Sequence, residues 1–468
     1  MAESTVGRER LGSRLGFILV SAGCAIGLGN IWRFPYITGQ YGGAAFVLLY
    51  LLFLAIFALP VLIVEFTVGR ASQKGIARCF DTLEPKGTKW HHYKWFGLAG
   101  NYLLMMFYTV VAGWMLAYCV FSITGAYDGA DSAAASALFS GFLADPGQLI
   151  FYMFLIVIIG IACTFAGVQK GVERVTKVMM VALFALLVLL SVHSFFLEGA
   201  EEGFKFYLLP DFGKLFQSPE FFTEAVFAAM SQSFFTLSIG IGSMEIFGSY
   251  IGRDRRLTGE AVRVAGLDTC VALLAGFIIF PACFAYGVQP DSGPSLVFIT
   301  LPSVFAQMPG GDIWGALFFL FMSFAALSTV IAVFENIMSF TMDQWGTPRK
   351  KACIINGILL LVLSIPCALG FNVWSGFTIP GIGDIQSIED FIVSYNLLPL
   401  GSLFFLLFCT RKPGWGFDNF LAEVDAGDKG MRFPRWAAGY MKYVLPVLMI
   451  IVFIAGWIPY IQKWMGLA

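Results

Sequence analysis

Long apolar runs separated by short polar segments make up most of the chain. A membrane-crossing helix needs about 20 apolar residues to span roughly 30 Å of hydrocarbon. By that measure the pattern predicts eleven spans, joined by segments too short to form a separate soluble domain. The spans cover residues 15–38, 44–69, 96–124, 149–166, 172–197, 221–251, 259–288, 312–345, 352–369, 386–410 and 436–461. We therefore predict one all-α integral membrane domain over residues 1–468.

Composition excludes a soluble protein. Of the 468 residues, 58% are hydrophobic and only 13% are charged, whereas soluble domains carry about 25% charged residues. The net charge of -1 gives no basic field for nucleic acid, so no nucleic-acid partner is expected. The nine cysteines form no Cys-x-x-Cys pair, and the three histidines do not form a metal-binding pattern. The partners that remain are membrane lipid and a small molecule.

Basic residues predict the orientation of the spans. Alternate connecting segments hold 24 of the 29 Lys and Arg residues, and such segments are normally cytoplasmic. The N-terminal segment 1–13 is therefore expected in the cytoplasm. Because eleven is odd, the C-terminus is expected on the extracellular or periplasmic side of the cell (inner) membrane.

The first and sixth spans are both interrupted by Gly-x-Gly, at residues 27–29 and 240–242. Lipid cannot hydrogen-bond a broken backbone, so each break must line a cavity inside the protein. The two spans stand five apart, which predicts two five-helix repeats, 14–197 and 221–412, followed by an eleventh helix at 436–461. Five is odd, so the second repeat is inverted. Broken helices at matching positions of inverted repeats indicate the midplane binding site of a transporter.

Ionisable residues inside apolar spans are candidate functional residues because a charge at the bilayer centre costs about 2.5–3.5 kcal/mol. Asp268 is notable, since its span has no nearby basic residue. Hydroxyls at Ser328 and Thr329 in the eighth span could join it as hard oxygen ligands for a small cation. Alternatively, these hydroxyls bond their own helix or join neighbouring helices. The buried acids are Glu65, Glu245, Asp268 and Glu335.

Several motifs resemble those of the neurotransmitter:sodium symporter family, specifically its bacterial LeuT-type amino acid transporters. The resemblance covers essentially the whole chain. The matching stretches are Arg14-Leu15-Gly16, Gly27-Leu28-Gly29-Asn30-Ile31-Trp32-Arg33-Phe34-Pro35-Tyr36, Gly42-Gly43-Ala44, Glu65-Phe66, Gly69-Arg70 and Phe234-Phe235-Thr236-Leu237-Ser238. The resemblance implies a LeuT-like fold, a 5+5 inverted repeat with broken helices 1 and 6, and a function that is not enzymatic.

The resemblance also implies two sodium ions. The first sodium site would use Ala25, Asn30, Thr236 and Asp268, and the second would use Gly23, Ile26, Ala325, Ser328 and Thr329. Asp268 departs from the family, where Asn is frequent, and Ser328 stands where Thr is common. Ala272 lacks the hydroxyl of chloride-dependent members, and Asp268 could replace the chloride charge. No chloride requirement is therefore expected.

By the same resemblance, the substrate is a neutral L-amino acid. Glycine at 27 leaves the substrate to bring its own carboxylate, which favours an amino acid over a monoamine. The largely apolar pocket favours a hydrophobic or aromatic side chain, since a charged one would lose its hydration without compensation. The implied substrate contacts are Cys24, Ala25, Leu28, Gly29, Leu104, Tyr108, Phe235, Thr236, Ser238, Ile241, Thr329 and Val333.

The resemblance further implies two gates. Arg33 and Asp390 would close the outer side, and Arg8 with Asp343 would close the cytoplasmic side near Tyr250. The unwound part of helix 6 would be held by Glu65. The tryptophan usual three residues after Arg8 is Leu11 here, which is a departure in the N-terminal segment.

Together these features predict a sodium-coupled importer of a neutral amino acid that works by alternating access. Two alternatives share the architecture: a sodium-independent exchanger, and an amino acid sensor without net transport. A multi-pass enzyme would need a nucleophile with a base, or a metal site, and the sequence contains no such pattern. Oligomeric state is left open.

Overall fold

The computed structural model describes residues 11–287 and 296–465, and within those ranges the chain is helical with two isolated β-bridges. Nine of the described helices are long and apolar enough to cross a membrane, and a tenth span is a pair of helices bent by 52°. We label the spans α1 to α11 in chain order. They are α1 (Arg14–Ala25 with Gly29–Gln40), α2 (Ala44–Ser72), α3 (Trp90–Ile123), α4 (Pro146–Phe165), α5 (Val168–Ser194), α6 (Pro219–Thr236 with Glu245–Gly248), α7 (Leu257–Ala285), α8 (Gly311–Trp345), α9 (Arg349–Leu369), α10 (Ile385–Thr410) and α11 (Ala437–Gln462).

The broken spans appear where the sequence predicts them. In α1 the first half begins at an N-cap, where the Ser13 hydroxyl accepts a hydrogen bond from the Gly16 N–H at 3.0 Å. It ends at Ile26, whose backbone is extended. In α6 the Ser218 hydroxyl caps the first half in the same way, and residues 237–244 then form turns. These turns make α6 too irregular to qualify as one long apolar helix.

Burial places α3 and α8 at the centre of the molecule. In the most apolar stretch of each helix, 78% of the residues of α3 and 83% of those of α8 are buried. The corresponding shares are 33% in α4 and 22% in α11. An apolar helix that is buried all round lies inside a bundle, whereas a half-exposed one faces lipid. The two interior helices pack against each other, α8 also packs along the first half of α1, and α3 contacts the unwound part of α6.

Short helices lie in the connecting segments, outside the eleven predicted spans. Ser132–Ala144 precedes α4, Glu201–Leu208 precedes α6, and Phe417–Val424 precedes α11. A further apolar helix, Leu296–Gln307, precedes α8. These segments are therefore folded against the spans instead of forming open loops.

A buried ion pair anchors the helix Phe417–Val424 to α2. The Arg70 side chain is fully buried, and its Nε lies 2.7 Å from Glu423 Oε1. Its guanidinium also donates to the Arg255 carbonyl at 2.6 Å and to the Glu423 carbonyl. The second carboxylate oxygen of Glu423 lies 2.9 Å from Arg253. This one guanidinium therefore joins three segments of the chain.

We expect Glu423→Gln to lower the stability of the protein by about 3–5 kcal/mol, because it leaves the Arg70 guanidinium buried without its carboxylate. The double variant Arg70→Met/Glu423→Gln should recover part of this loss, since neither charge remains. Thermal unfolding in detergent, followed by size-exclusion chromatography, measures both. Lys205→Gln removes an exposed pair with Glu201 and Glu202 and should change stability by less than about 0.5 kcal/mol. Equal stability of all the variants would contradict the anchoring role.

Candidate functional site

The two helix breaks touch each other directly. Gln232 Nε2 of α6 donates to the Gly29 carbonyl at 2.8 Å, and Ser238 Oγ donates to the Cys24 carbonyl at 3.1 Å. Both accepting carbonyls belong to α1. Backbone groups that a helix would satisfy internally are thus satisfied across the contact between α1 and α6, as burial in a membrane requires.

Side chains of α2 and α3 hold the unwound part of α6. Glu65 is fully buried, and its Oε1 accepts from the Gly240 N–H at 2.5 Å. The Gly240 carbonyl accepts from the Tyr93 hydroxyl, and the Ile241 carbonyl accepts from Asn101 Nδ2 at 2.9 Å. A Cβ on Gly240, where φ is +97°, would lie 2.1 Å from the Leu398 carbonyl oxygen. Glycine is therefore required at this break.

A small inner cavity, about 10 Å³ in volume, lies at the crossing of the two breaks. Five of its lining residues come from the broken spans α1 and α6, two come from α3, and one each comes from α8 and α10. The lining residues are Ala25, Gly27, Gly29, Leu104, Tyr108, Phe235, Ser238, Thr329 and Leu398. Seven of these nine are predicted substrate contacts; Gly27 and Leu398 are the additions.

Gly27 sets the shape of this cavity. A Cβ there would lie 2.1 Å from the Tyr108 hydroxyl and 2.5 Å from Thr329 Oγ1. The Tyr108 hydroxyl accepts from the Leu28 N–H at 2.9 Å. The tyrosine hydroxyl, held by the Leu28 N–H at the end of a helix, can donate its own proton into the cavity, an arrangement suited to a carboxylate.

A first cluster of oxygens surrounds Asp268, which is fully buried in α7. Asn30 Nδ2 donates to Asp268 Oδ1 at 2.8 Å, and Thr236 Oγ1 donates to Oδ2 at 2.9 Å. In the described part of the chain, no Lys or Arg forms an ion pair with this carboxylate. One residue each from α1, α6 and α7 therefore meets at a buried acid that has no cationic side chain beside it.

A second cluster joins α1 to α8. Ser328 Oγ lies 2.8 Å from the Ala325 carbonyl oxygen and 3.4 Å from that of Ile26. Thr329 Oγ1 lies 3.3 Å from each of the carbonyl oxygens of Gly23, Cys24 and Ile26. All five residues predicted for the second sodium site are present in this cluster.

The second cluster has more oxygens than protons to share among them. A hydroxyl carries one proton, yet Thr329 Oγ1 faces three carbonyl oxygens at the same distance. At least two of those carbonyls therefore direct lone pairs at another oxygen. Ligands at right angles, 2.3–2.6 Å from a hard cation, are about 3.3–3.7 Å apart. The spacing around Thr329 fits a cation of that size.

A second cavity of about 290 Å³, which we call the outer cavity after the predicted orientation, shares Phe235 with the inner one. Arg33 Nη2 lies 3.9 Å from Asp390 Oδ2, and the guanidinium lies 4.7 Å from the centroid of the Phe235 ring. Arg33 also lies 5.3 Å from the Tyr395 ring. The predicted outer pair is thus brought together, and the aromatic ring separates the two cavities.

Arg8 of the predicted cytoplasmic gate lies outside the described residues, so only its predicted partners can be placed. Asp343 Oδ2 accepts from the Gly75 N–H at 2.9 Å. The Tyr250 hydroxyl donates to Glu335 Oε1 at 2.8 Å. Glu335 also pairs with Arg349 at 2.7 Å. Arg349 is therefore the cation for a buried acid whose partner could not be named from the sequence, since the two residues belong to different helices.

Some predicted substrate contacts do not line the inner cavity. Leu28 lines the outer cavity, and Cys24 and Thr236 contribute to hydrogen bonds beside the inner one. Ile241 and Val333 are fully buried, and they follow the lining residues Ser238 and Thr329 by three and four positions in the sequence. Leu398 was missed because it belongs to α10, and only the close approach of α10 to Gly240 brings it to the site.

The fold and this site define a secondary transporter with two broken helices. The family model for the sodium:neurotransmitter symporter family matches residues 8–135 and 132–466, and the chain belongs to that family. The resemblance seen in the motifs is thereby confirmed. Its members are sodium-dependent membrane transporters, not enzymes.

Individual relatives agree with this assignment. An uncharacterized sodium-dependent transporter of Bacillus subtilis (strain 168), YhdH, is 36% identical over 94% of this chain and 96% of its own length. One from Haemophilus influenzae is 33% identical over 96% of this chain and 98% of its own. The crystal structure of MhsT in complex with L-phenylalanine has a TM-score of 0.86 and 40% identity, covering 96% of this chain and all of that one. The LeuT-like fold is thereby confirmed as well.

Proposed function

We propose that the protein is a sodium-coupled symporter that imports a neutral, hydrophobic or aromatic L-amino acid by alternating access. The observation that carries this proposal is the oxygen cluster around Thr329, where one hydroxyl faces three carbonyl oxygens. Such a cluster is stabilised by a cation. It also links α1 to α8, so a bound cation would hold these two helices together.

The first cluster would bind a second sodium ion beside the substrate. Asp268 supplies a negative charge, and Asn30 and Thr236 supply neutral oxygens from the two broken helices. The Asn30 amide would have to turn toward the ion, giving up the hydrogen bond that its Oδ1 accepts from the Gly27 N–H at 3.1 Å. With Ala25 and the substrate carboxylate, this site would make each ligand favour the binding of the other, which is the physical basis of coupling.

The inner cavity supports the proposed substrate class. Leu104, Phe235 and Leu398 give it apolar walls, while the Tyr108 hydroxyl, which accepts from the Leu28 N–H, can donate its own proton to a carboxylate. The L-phenylalanine in the similar MhsT structure is consistent with this class. The outer pair Arg33 and Asp390 would close over the bound substrate.

Two sodium ions would provide a large driving force. Moving two charges through about 100 mV releases about 4.6 kcal/mol, and a tenfold gradient for each ion adds about 2.7 kcal/mol. The sum supports accumulation on the order of 10⁵-fold. We further propose that the chain enters the membrane with its N-terminus in the cytoplasm, in agreement with the basic segments.

Uptake of L-phenylalanine into proteoliposomes tests the proposal, with sodium replaced by potassium or choline. We expect uptake in sodium only, because the Thr329 cluster needs a cation that fits its spacing. The variant Ser328→Ala/Thr329→Ala should raise the sodium concentration for half-maximal uptake at least about tenfold. Thr410→Ala, which removes a buried hydroxyl bonded to its own helix, is the control. Equal uptake in all three cations would refute sodium coupling.

We expect Gly27→Ala to abolish sodium-dependent binding of L-phenylalanine. The added methyl group would overlap the Tyr108 hydroxyl and remove it from the Leu28 N–H. Scintillation proximity with the radiolabelled amino acid measures this binding. Gly439→Ala is the matched control, since a Cβ at that helical glycine meets nothing within 4 Å. Undiminished binding by Gly27→Ala would show that the substrate lies elsewhere.

Uptake should be unchanged in chloride-free gluconate buffer, because the Asp268 carboxylate supplies a fixed negative charge beside the first cluster. Asp268→Asn removes this charge and should weaken sodium-dependent uptake at least about tenfold. The comparison is made at equal sodium in chloride and in gluconate. A fall to background in gluconate would refute chloride independence, whatever the variant does.

A further inference from the structure

Two asparagines form a polar layer directly beneath the proposed substrate pocket. Tyr108 and Thr329 line the inner cavity. Asn101 lies seven residues before Tyr108 on α3, and Asn336 lies seven residues after Thr329 on α8. A spacing of seven returns to the same helix face, about 10.5 Å along the axis. Both asparagines are 1% exposed.

Hydrogen bonds fix the orientation of both amides. Asn101 Nδ2 donates to the Gly97 carbonyl at 2.7 Å and to the Ile241 carbonyl at 2.9 Å. Its Oδ1 must therefore be the atom that accepts from Ser243 Oγ at 3.2 Å and from Asn336 at 2.9 Å. Asn336 thus presents its Nδ2 to Asn101, and the opposite assignment would place two oxygens in contact.

This arrangement leaves Asn336 Oδ1 as a buried acceptor without a hydrogen-bond partner among the described residues. A buried polar atom without a partner costs free energy, so most such atoms are paired in native proteins. Helical side chains lean toward the N-terminus of their helix. On α8 that direction leads from Asn336 toward Val333 and then Thr329, at the level of the inner cavity.

We propose that Asn336 Oδ1 selects for a hydrogen-bond donor at the far end of the substrate side chain, and that the preferred substrate class is therefore a ring-hydroxylated aromatic amino acid such as L-tyrosine. This inference rests on the proposed function. With its α-carbon at the level of Tyr108 and Thr329, the phenol oxygen of tyrosine would reach roughly 6–7 Å toward the asparagines. The apolar side chains of Leu104 and Val333 lie between the two levels in sequence.

The test compares L-tyrosine with 4-methyl-L-phenylalanine, which has a methyl group of similar size in place of the hydroxyl. Competition against radiolabelled L-phenylalanine in saturating sodium gives both affinities on the unmodified protein. We expect tyrosine to bind about tenfold more tightly, because the methyl group leaves Asn336 Oδ1 unpaired. Equal affinities, or tighter binding of the methyl analogue, would overturn the proposal.

Two variants test whether Asn336 causes the preference for tyrosine. Asn336→Leu removes the acceptor at similar volume and should lower tyrosine affinity about tenfold relative to phenylalanine. Asn356→Ala is the control, since this buried asparagine of α9 bonds Tyr102 and Thr341 and should leave the ratio unchanged. An unchanged ratio in Asn336→Leu would refute its role. Absence of sodium-dependent phenylalanine binding by the unmodified protein would instead refute the proposed function.

Discussion

The backbone of a membrane protein must find all its hydrogen bonds inside the protein, and the two helix breaks exist only because neighbouring side chains meet that demand. At the α6 break, Glu65, Tyr93 and Asn101 bond the N–H of Gly240 and the carbonyls of Gly240 and Ile241. Each of these partners comes from α2 or α3. The break is therefore a stable part of the fold, held by hydrogen bonds from α2 and from α3.

The α1 break is satisfied differently, and the difference indicates what binds there. Its carbonyls face hydroxyls of α8, and Thr329 has one proton for three of them. The Cys24 carbonyl also accepts from Ser238, and Ser328 lies near the carbonyls of Ile26 and Ala325. Three hydroxyl protons are thus shared among four carbonyl oxygens, whereas each group of the α6 break described above has its own protein partner. A cation would complete the first arrangement and is not needed by the second. The hydrogen-bond count thus supports the proposed ion site.

The buried acids Glu335 and Asp268 also differ in whether protein groups alone complete their surroundings. Glu335 is neutralised by Arg349 and bonded by Tyr250, so it has a structural partner within the protein. Within residues 11–287 and 296–465, the Asp268 carboxylate is bonded by the neutral groups of Asn30 and Thr236 alone. A carboxylate buried without a cation is costly, so Glu335 holds helices together, while the surroundings of Asp268 support the proposed ion site. The neighbouring side chains therefore distinguish these two buried acids, although both carry a carboxylate.

Sequence reasoning predicted what depends on local pattern and on long motifs. Apolar length located the spans, and Gly-x-Gly located both breaks, because Gly27 and Gly240 allow approaches that any side chain would block. It could not find Leu398 or the Arg349 partner of Glu335, since contacts between helices depend on packing and not on spacing along the chain. Asn101 and Asn336 are conspicuous as polar residues in apolar spans, yet only the three-dimensional hydrogen-bond network shows which amide oxygen is free. The unpaired atom that bears on substrate choice is thus a property of the packed helices, and neither asparagine reveals it alone.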